Sequence, residues 1–186
     1  TFNLLEGLKL NLFGAYTYNI VENSQYLPTS VWANGQAYKG TKKRESLLGN
    51  MMLTYKKNWK KHFFDVLALA ELQKETYTGY YTTVSNFSTD KFGYNNLQAG
   101  ALRLWEGTNS YYDQPRLASF MGRFNYTYAD RYVLTLNART DASSKFGANH
   151  KWGFFPSASA AWVISEEEFM KQLPMVDNLK FRIGYG

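Results

Sequence analysis

The sequence predicts an all-β fold, a segment of a transmembrane, antiparallel, up-and-down β-barrel. Aromatic residues make up 18% of the 186 residues, with 15 Tyr, 13 Phe and 5 Trp, yet the mean hydropathy is negative. The apolar groups are therefore interleaved with polar ones, as strands with two different faces require. The interleaving recurs in blocks of about ten residues, the length of a tilted strand crossing a bilayer. Connections between the blocks alternate between long and short, the loop asymmetry of outer-membrane barrels.

Seven strands follow from the alternation. In 8–18, Leu8, Leu10, Leu12, Gly14, Tyr16 and Tyr18 share one face. In 47–55, Leu47, Gly49, Met51, Leu53 and Tyr55 do the same, and the basic turn KKNWKK leads into 62–73, whose middle is apolar on both faces. The clearest pair is 118–128 and 132–141, where Phe120, Phe124, Tyr126 and Tyr128, then Tyr132, Leu134 and Leu136, alternate with polar residues across a short turn. Two further strands occupy 152–163 and the stretch from Leu179 onward. The series is expected to begin and end on upward strands. An odd count cannot close a single-chain barrel of even strand number, and lipid-exposed sheet edges are not tolerated, so further strands are expected.

The stretches 20–45, 76–115 and 143–150 read as long extracellular loops, and 56–61 and 129–131 as short periplasmic turns. Tyr55, Tyr126, Tyr128, Tyr132 and Trp162 lie toward the short-turn side and read as the periplasmic aromatic girdle; the rim of a soluble sandwich is the other reading. Ser165 followed by Glu166, Glu167 and Glu168 is a capping box, with Ile164 and Phe169 placed as a hydrophobic staple and Pro174 as a stop. It predicts one short periplasmic helix over 166–173, capped by Ser165 and Glu168.

Several classes of chemistry find no support. The longest apolar runs, 66–70 (VLALA) and 160–164 (AAWVI), are far too short for a spanning helix. With no Cys, disulfides and thiolate metal sites are excluded. The two His, His62 and His150, fall at opposite predicted sides, so no metal centre, cofactor or catalytic arrangement is expected. The formal net charge of +6 raises nucleic acid as a partner. However, Lys42, Lys43 and Arg44, and Lys56, Lys57, Lys60 and Lys61, fall in predicted connections, where they suit solvated turns or anionic lipid headgroups; no nucleic-acid partner is expected.

Read as text, 121–169, MGRFNYTYADRYVLTLNARTDASSKFGANHKWGFFPSASAAWVISEEEF, and 179–186, LKFRIGYG, resemble the barrel of SusC/RagA outer-membrane transporters, as do GLKL at 7–10 and the hairpin 53–73. The family blocks gRxnYxYxdrYxlxxxxRxDgSSkFg, wgxFPsxSaaWxxsxExF and LKxRxxyG occur here in order and at matching intervals. Ala142 departs from the usual Gly. The resemblance implies a TonB-dependent importer in a Gram-negative outer membrane, with a barrel of 22 strands, a plug and a TonB box. The plug, the TonB box and the remaining strands are expected outside this chain. Implied partners are TonB, a SusD-like surface lipoprotein, membrane lipid and lipopolysaccharide, and a glycan or peptide substrate.

Candidate binding residues sit in the predicted loops. Tyr80, Tyr81, Trp105, Tyr111 and Tyr112 offer flat faces that suit sugars or peptides, or that pack the loop onto its neighbours or a partner lipoprotein. Arg139 and Asp141, two apart, share the lumen face or its mouth; they read as an ion pair holding loops or plug, with direct substrate contact as the alternative. A passive porin-type barrel and a soluble, aromatic-rich, carbohydrate-binding β-sandwich are the rival readings of the whole chain.

Overall fold

The computed structural model describes residues 1–147, 151–172 and 175–186. His150, and Leu173 and Pro174 at the expected helix end, lie outside the described residues. Among the described residues ten strands form one sheet: β1 (Phe2–Leu5), β2 (Leu8–Leu27), β3 (Gln36–Trp59), β4 (His62–Phe87), β5 (Gly100–Arg103), β6 (Asn109–Asp113), β7 (Arg116–Tyr128), β8 (Tyr132–Ser143), β9 (Trp152–Val163) and β10 (Lys180–Tyr185). The order is β1-β2-β3-β4-β7-β8-β9-β10, with β5 and β6 both pairing on β4. Apart from the step from β4 to β7, between which β5 and β6 fold onto β4, sequence neighbours are ladder neighbours along this path, the up-and-down topology that the alternation predicts.

Seven of the ten are the expected strands; three are additions with physical reasons. The expected loop 20–45 is mostly ladder, because β2 runs to Leu27 and β3 begins at Gln36. Likewise β4 runs to Phe87, inside the expected loop 76–115, and carries β5 and β6. The Lys42, Lys43 and Arg44 cluster is thus part of β3 and not of a loop. These stretches are polar on both faces and leave no period-2 signal, yet their Thr, Tyr and Val favour extended backbone. β1 precedes the first upward strand and turns back through Gly7, whose φ is 79°. A Cβ there would lie 2.1 Å from the Lys56 carbonyl oxygen, so only glycine fits.

The chain forms two compact units. The first comprises Thr1–Ala15, Leu48–Gln73 and Arg116–Gly186. Its ladder places residues in rows across neighbouring strands, and residues directly opposed share a face. One face carries the rows Phe124–Leu136–Ala158–Tyr185, Tyr126–Leu134–Ala160–Ile183 and Tyr128–Tyr132–Trp162–Phe181. The other carries Arg123–Asn137–Ser157 and Asn125–Thr135–Ser159–Gly184. Ten residues separate Ala118, which opposes Ala142 and through it Trp152, from Tyr128. At about 3.3 Å per residue and a tilt of about 40°, that is roughly 25 Å of height, the depth of an outer-membrane apolar band. Phe120 and Trp152 stack at 6.1 Å at one end, and Tyr128 and Tyr132 at 6.4 Å at the other.

The β7–β8 turn is short, with three residues between the ladder partners Tyr128 and Tyr132. Ala129 and Asp130 both have positive φ, 52° and 57°, and the Arg131 amide donates to Tyr128 O at 3.0 Å. This twist matches that of the flanking strands.

After β9 the expected single helix is replaced by two 3₁₀ turns, Ile164–Glu166 and Glu168–Gln172. Val163 and not Ser165 occupies the cap position, with no side-chain capping bond. The Ser165 amide, which a capping box reserves for the carboxylate three residues on, donates to Leu179 O at 3.1 Å, and the Glu168 carboxylate reaches Arg131 at 3.4 Å. The physical reason lies in Glu167. Its carboxylate, with a side chain only 12% exposed, accepts from Tyr132 Oη at 2.7 Å and Trp162 Nε1 at 3.0 Å and pairs with Arg131 at 3.0 Å. Three tertiary donors outweigh one local cap and hold the segment against the ends of β8 and β9.

The second unit comprises Tyr16–Leu47 and Lys74–Pro115. Ala37, Val84 and Phe87 are its buried core, with Tyr26, Leu97 and Ala99 packed on them. Asp90 accepts from Tyr26 Oη at 2.6 Å and from the amide and hydroxyl of Thr29 at 3.0 and 2.8 Å, which ties the β2–β3 connection to the segment after β4. These donors, Tyr26 first, hold the Asp90 carboxyl below its ordinary value. Arg44 pairs with Glu75 at 2.6 Å and lies over the Tyr77 ring at 5.6 Å, and the Tyr77 hydroxyl also donates to Glu75.

Two outcomes are expected of the full-length protein. Leu136→Arg, at mid-height on the apolar face, costs about 2–4 kcal/mol of stability, whereas Thr135→Arg on the opposite face costs much less; denaturant unfolding in lipid vesicles reads the difference. Hydrogen bonds from Tyr132 and Trp162, then the charge of Arg131, lower the pKa of Glu167. Its stabilisation is therefore present above the ordinary glutamate pKa and is lost as pH falls through the lowered folded value. The unfolding midpoint of Glu167→Gln lies below that of the unaltered protein near pH 7, and the gap narrows as pH drops below the ordinary glutamate pKa.

Candidate functional site

Parity along the strands decides which side chains the first unit offers on its polar face. Arg139 and Asp141 are brought together: Arg139 Nε donates to Asp141 Oδ2 at 2.8 Å and Oδ1 at 3.1 Å, and Arg139 Nη2 reaches Ser119 Oγ at 3.5 Å. Since Ser119 opposes Asp141 and Met121 opposes Arg139 in the ladder, the pair bridges β7 and β8. Lower on this face Asn137 Nδ2 donates to Ser157 Oγ at 3.2 Å, and Lys56 pairs with Asp65 at 3.5 Å. Asp65 Oδ1 and Arg123 Nε are buried without a hydrogen-bond partner among the described residues.

On the apolar face, Tyr128, Tyr132 and Trp162 form one row, and Tyr126 lies one row further in. His62 joins them as a packed ring: its Nδ1 is 2.7 Å from Tyr126 Oη, and it stacks on Trp59 at 5.5 Å and lies against Tyr128 at 4.9 Å. This environment is that of a structural histidine. Among the described residues no cluster of three His, Asp or Glu could hold a metal ion.

The five loop aromatics do not converge. In the β4–β6 ladder Gly79 opposes Tyr111, and a Cβ at Gly79 would meet the Tyr111 ring at 2.6 Å, so that ring lies flat over the glycine. Tyr81, on the same face, packs on Tyr38 at 6.0 Å. Tyr80 and Tyr112 lie on the opposite face and are exposed. Trp105 stands apart, 90% exposed at the start of a 3₁₀ turn, Trp105–Gly107.

Trp105 borders a cleft of about 600 Å³ that also takes in Gln36, Thr83, Arg103 and Glu106. Sequence reading picks out the tryptophan and misses the rest. Gln36 comes from the start of β3, Thr83 from β4 and Arg103 from β5, and only the pairing of β4 with β3 on one side and with β5 on the other brings these segments together. Arg103 and Glu106, within three residues of an exposed tryptophan, are the local signal that was available.

Comparison with known proteins places this geometry. All of residues 1–186 match the family described as TonB dependent receptor-like, beta-barrel. The chain is 30% identical over its whole length to TonB-dependent receptor P3 of Formosa agariphila and covers 19% of that protein. It is also 30% identical over its whole length to TonB-dependent receptor SusC of Bacteroides thetaiotaomicron, covering 18% of it. The solved RagAB peptide transporter matches 97% of the chain at a TM-score of 0.84 and 20% identity, over 20% of its own chain, which shows a shared fold. This chain thus spans about a fifth of the length of the relatives it matches. Family-wide likeness and a two-faced up-and-down sheet agree: the chain belongs to the TonB-dependent receptor β-barrel family, as a SusC-like member.

Proposed function

We propose that the chain supplies part of the wall of an outer-membrane importer of oligosaccharides or peptides, energised through TonB and working with a SusD-like surface lipoprotein. The observation that carries this reading is likeness to TonB-dependent receptors along the entire chain. The faces of the first unit support it. The apolar rows suit lipid, with the Tyr128–Tyr132–Trp162 row at the periplasmic interface, where ring bodies meet acyl chains and polar tips meet headgroups. Arg139, Asp141, Arg123 and Asp65 then line the lumen, where Asp65 Oδ1 and Arg123 Nε leave hydrogen-bonding capacity for a structure inside it. The stretches 20–45 and 76–115, read from the sequence as extracellular, then face outside the cell. The plug and the TonB box belong to the remaining four-fifths of the receptor.

The test is uptake by the native host of labelled oligosaccharide and peptide pools. Import of one pool is expected to stop when this receptor is deleted, when TonB is deleted, or when the proton gradient is collapsed. Receptor-dependent uptake that persists without TonB would establish a passive porin instead, and a full-length product that stays in buffer without detergent would establish a soluble fold.

A further inference from the structure

Trp105 is the most exposed aromatic side chain among the described residues, at 90%. Its exposure does not come from a slack loop. Within the turn the Gly107 amide donates to Leu104 O at 3.0 Å and the Thr108 amide to Trp105 O at 3.1 Å. Thr108 Oγ1 and Thr82 Oγ1 lie 2.9 Å apart. Gly107 sits so close to β4 that a Cβ would come within 2.8 Å of Thr83 Cβ. The turn is thus seated on β4 and holds a large rigid ring clear of it. Beside the ring, the Arg103 and Glu106 side chains lie in the cleft with neither a hydrogen bond nor an ion pair among the described residues.

We infer that this cleft is a subsite for a neutral oligosaccharide, with one pyranose ring stacked on Trp105. The inference rests on the importer reading and narrows its substrate. A pyranose has a flat C–H face and a rim of hydroxyls, and the cleft offers the complement of both. The indole takes the apolar face. The planar Arg103 guanidinium donates in a fork, the Glu106 carboxylate accepts, the Thr83 hydroxyl does either, and the Gln36 amide, whose Nε2 already donates to Ser85 Oγ at 3.4 Å, keeps its oxygen and second N–H, which is the set that adjacent hydroxyls require. A cleft of about 600 Å³ also lies within the size range of small-molecule sites. The formal charges of Arg103 and Glu106 cancel, so a sulfated or uronic chain would gain from one and be repelled by the other. Extended peptides are held chiefly by main-chain hydrogen bonds to a strand edge, and the Gly107 and Thr108 amides of this turn are already spent internally.

The experiment uses the purified full-length receptor in detergent, an array of neutral glycans that includes malto-, cello-, xylo- and manno-oligosaccharides, matched uronic and sulfated glycans, and a random peptide pool. Hits are titrated by calorimetry against Trp105→Ala, Trp105→Phe and Arg103→Gln. The expected result is binding of a neutral glycan, weakened on the order of tenfold or more by Trp105→Ala, as for other exposed aromatic anchors, and less by Trp105→Phe. Unchanged heat-modifiable gel migration shows that the variants fold. Neutral-glycan binding that is indifferent to Trp105→Ala overturns the subsite, as does binding of peptides or anionic glycans alone. Loss of nothing but co-purifying lipoprotein in Trp105→Ala assigns the ring to that partner and likewise overturns it. If no glycan binds while TonB-dependent peptide uptake persists, the subsite falls and the importer stands; TonB-independent uptake removes the importer reading itself.

Discussion

In hydrocarbon there is no water to satisfy an unpaired amide, so every N–H and C=O in the spanning part of this chain must find its partner in the ladder. Most of the fold follows from that demand. It makes the β7–β8–β9 registers continuous from Tyr128 to Leu117 and from Tyr132 to Ala142, with each residue facing a partner. It also forces each side chain to one face or the other, since neighbours along a paired strand alternate. The turns on the short side must then reverse the chain within two or three residues, and they do so with backbones most residues avoid: Gly7 at φ 79°, Lys60 at 54°, and Ala129 and Asp130 at 52° and 57°. Among the described residues β10 pairs with β9 alone, and its other edge is one that a closed barrel must cover.

How much of this is legible in the sequence depends on whether a segment meets two different solvents. In 118–141 one face meets lipid and the other a polar interior, so Phe124, Leu136 and Ala158 on one side and Asn125, Thr135 and Ser159 on the other write the register directly into the text. From Ile20 to Leu27 and from Thr76 to Phe87 the surroundings are polar on both sides, no alternation is selected, and the strands read as loops although the ladder continues through them. The capping box fails for a related reason. Its text is local, Ser165 to Glu168, but the partners that win for Glu167 come from Arg131, Tyr132 and Trp162, and Arg131 and Tyr132 lie more than thirty residues away along the chain.

Parity also sets where charge can be kept. Arg139 and Asp141 share a face because they are two apart on β8, and their pairing with each other, beside Ser119 on β7, satisfies both without a lipid-facing charge. Asp65 and Arg123 obey the same parity but retain the buried atoms Oδ1 and Nε without partners. An unsatisfied buried polar atom costs about 1–3 kcal/mol, a cost that a folded protein carries where another surface completes the pairing. Glu167, at the short-turn side, is the contrary case: three donors converge on it, Arg131 from the β7–β8 turn, Tyr132 from β8 and Trp162 from β9, and the connection gives up its own helix to keep them.

The same logic explains why the candidate site was only partly visible. A wall that must pair everywhere has little freedom in its spanning residues, whereas the strand extensions meet water, so their side chains are free to differ. There the ladder acts as a scaffold, fixing Gln36, Thr83 and Arg103 relative to one another across three strands whose sequence separation hides the association. Trp105 announces itself because an indole left 90% in water is costly. Its neighbours do not, because polar residues in polar segments are the expectation. Recognition in such a barrel is thus written where the sequence signal is weakest, and it becomes readable only once backbone pairing has brought the pieces to one cleft.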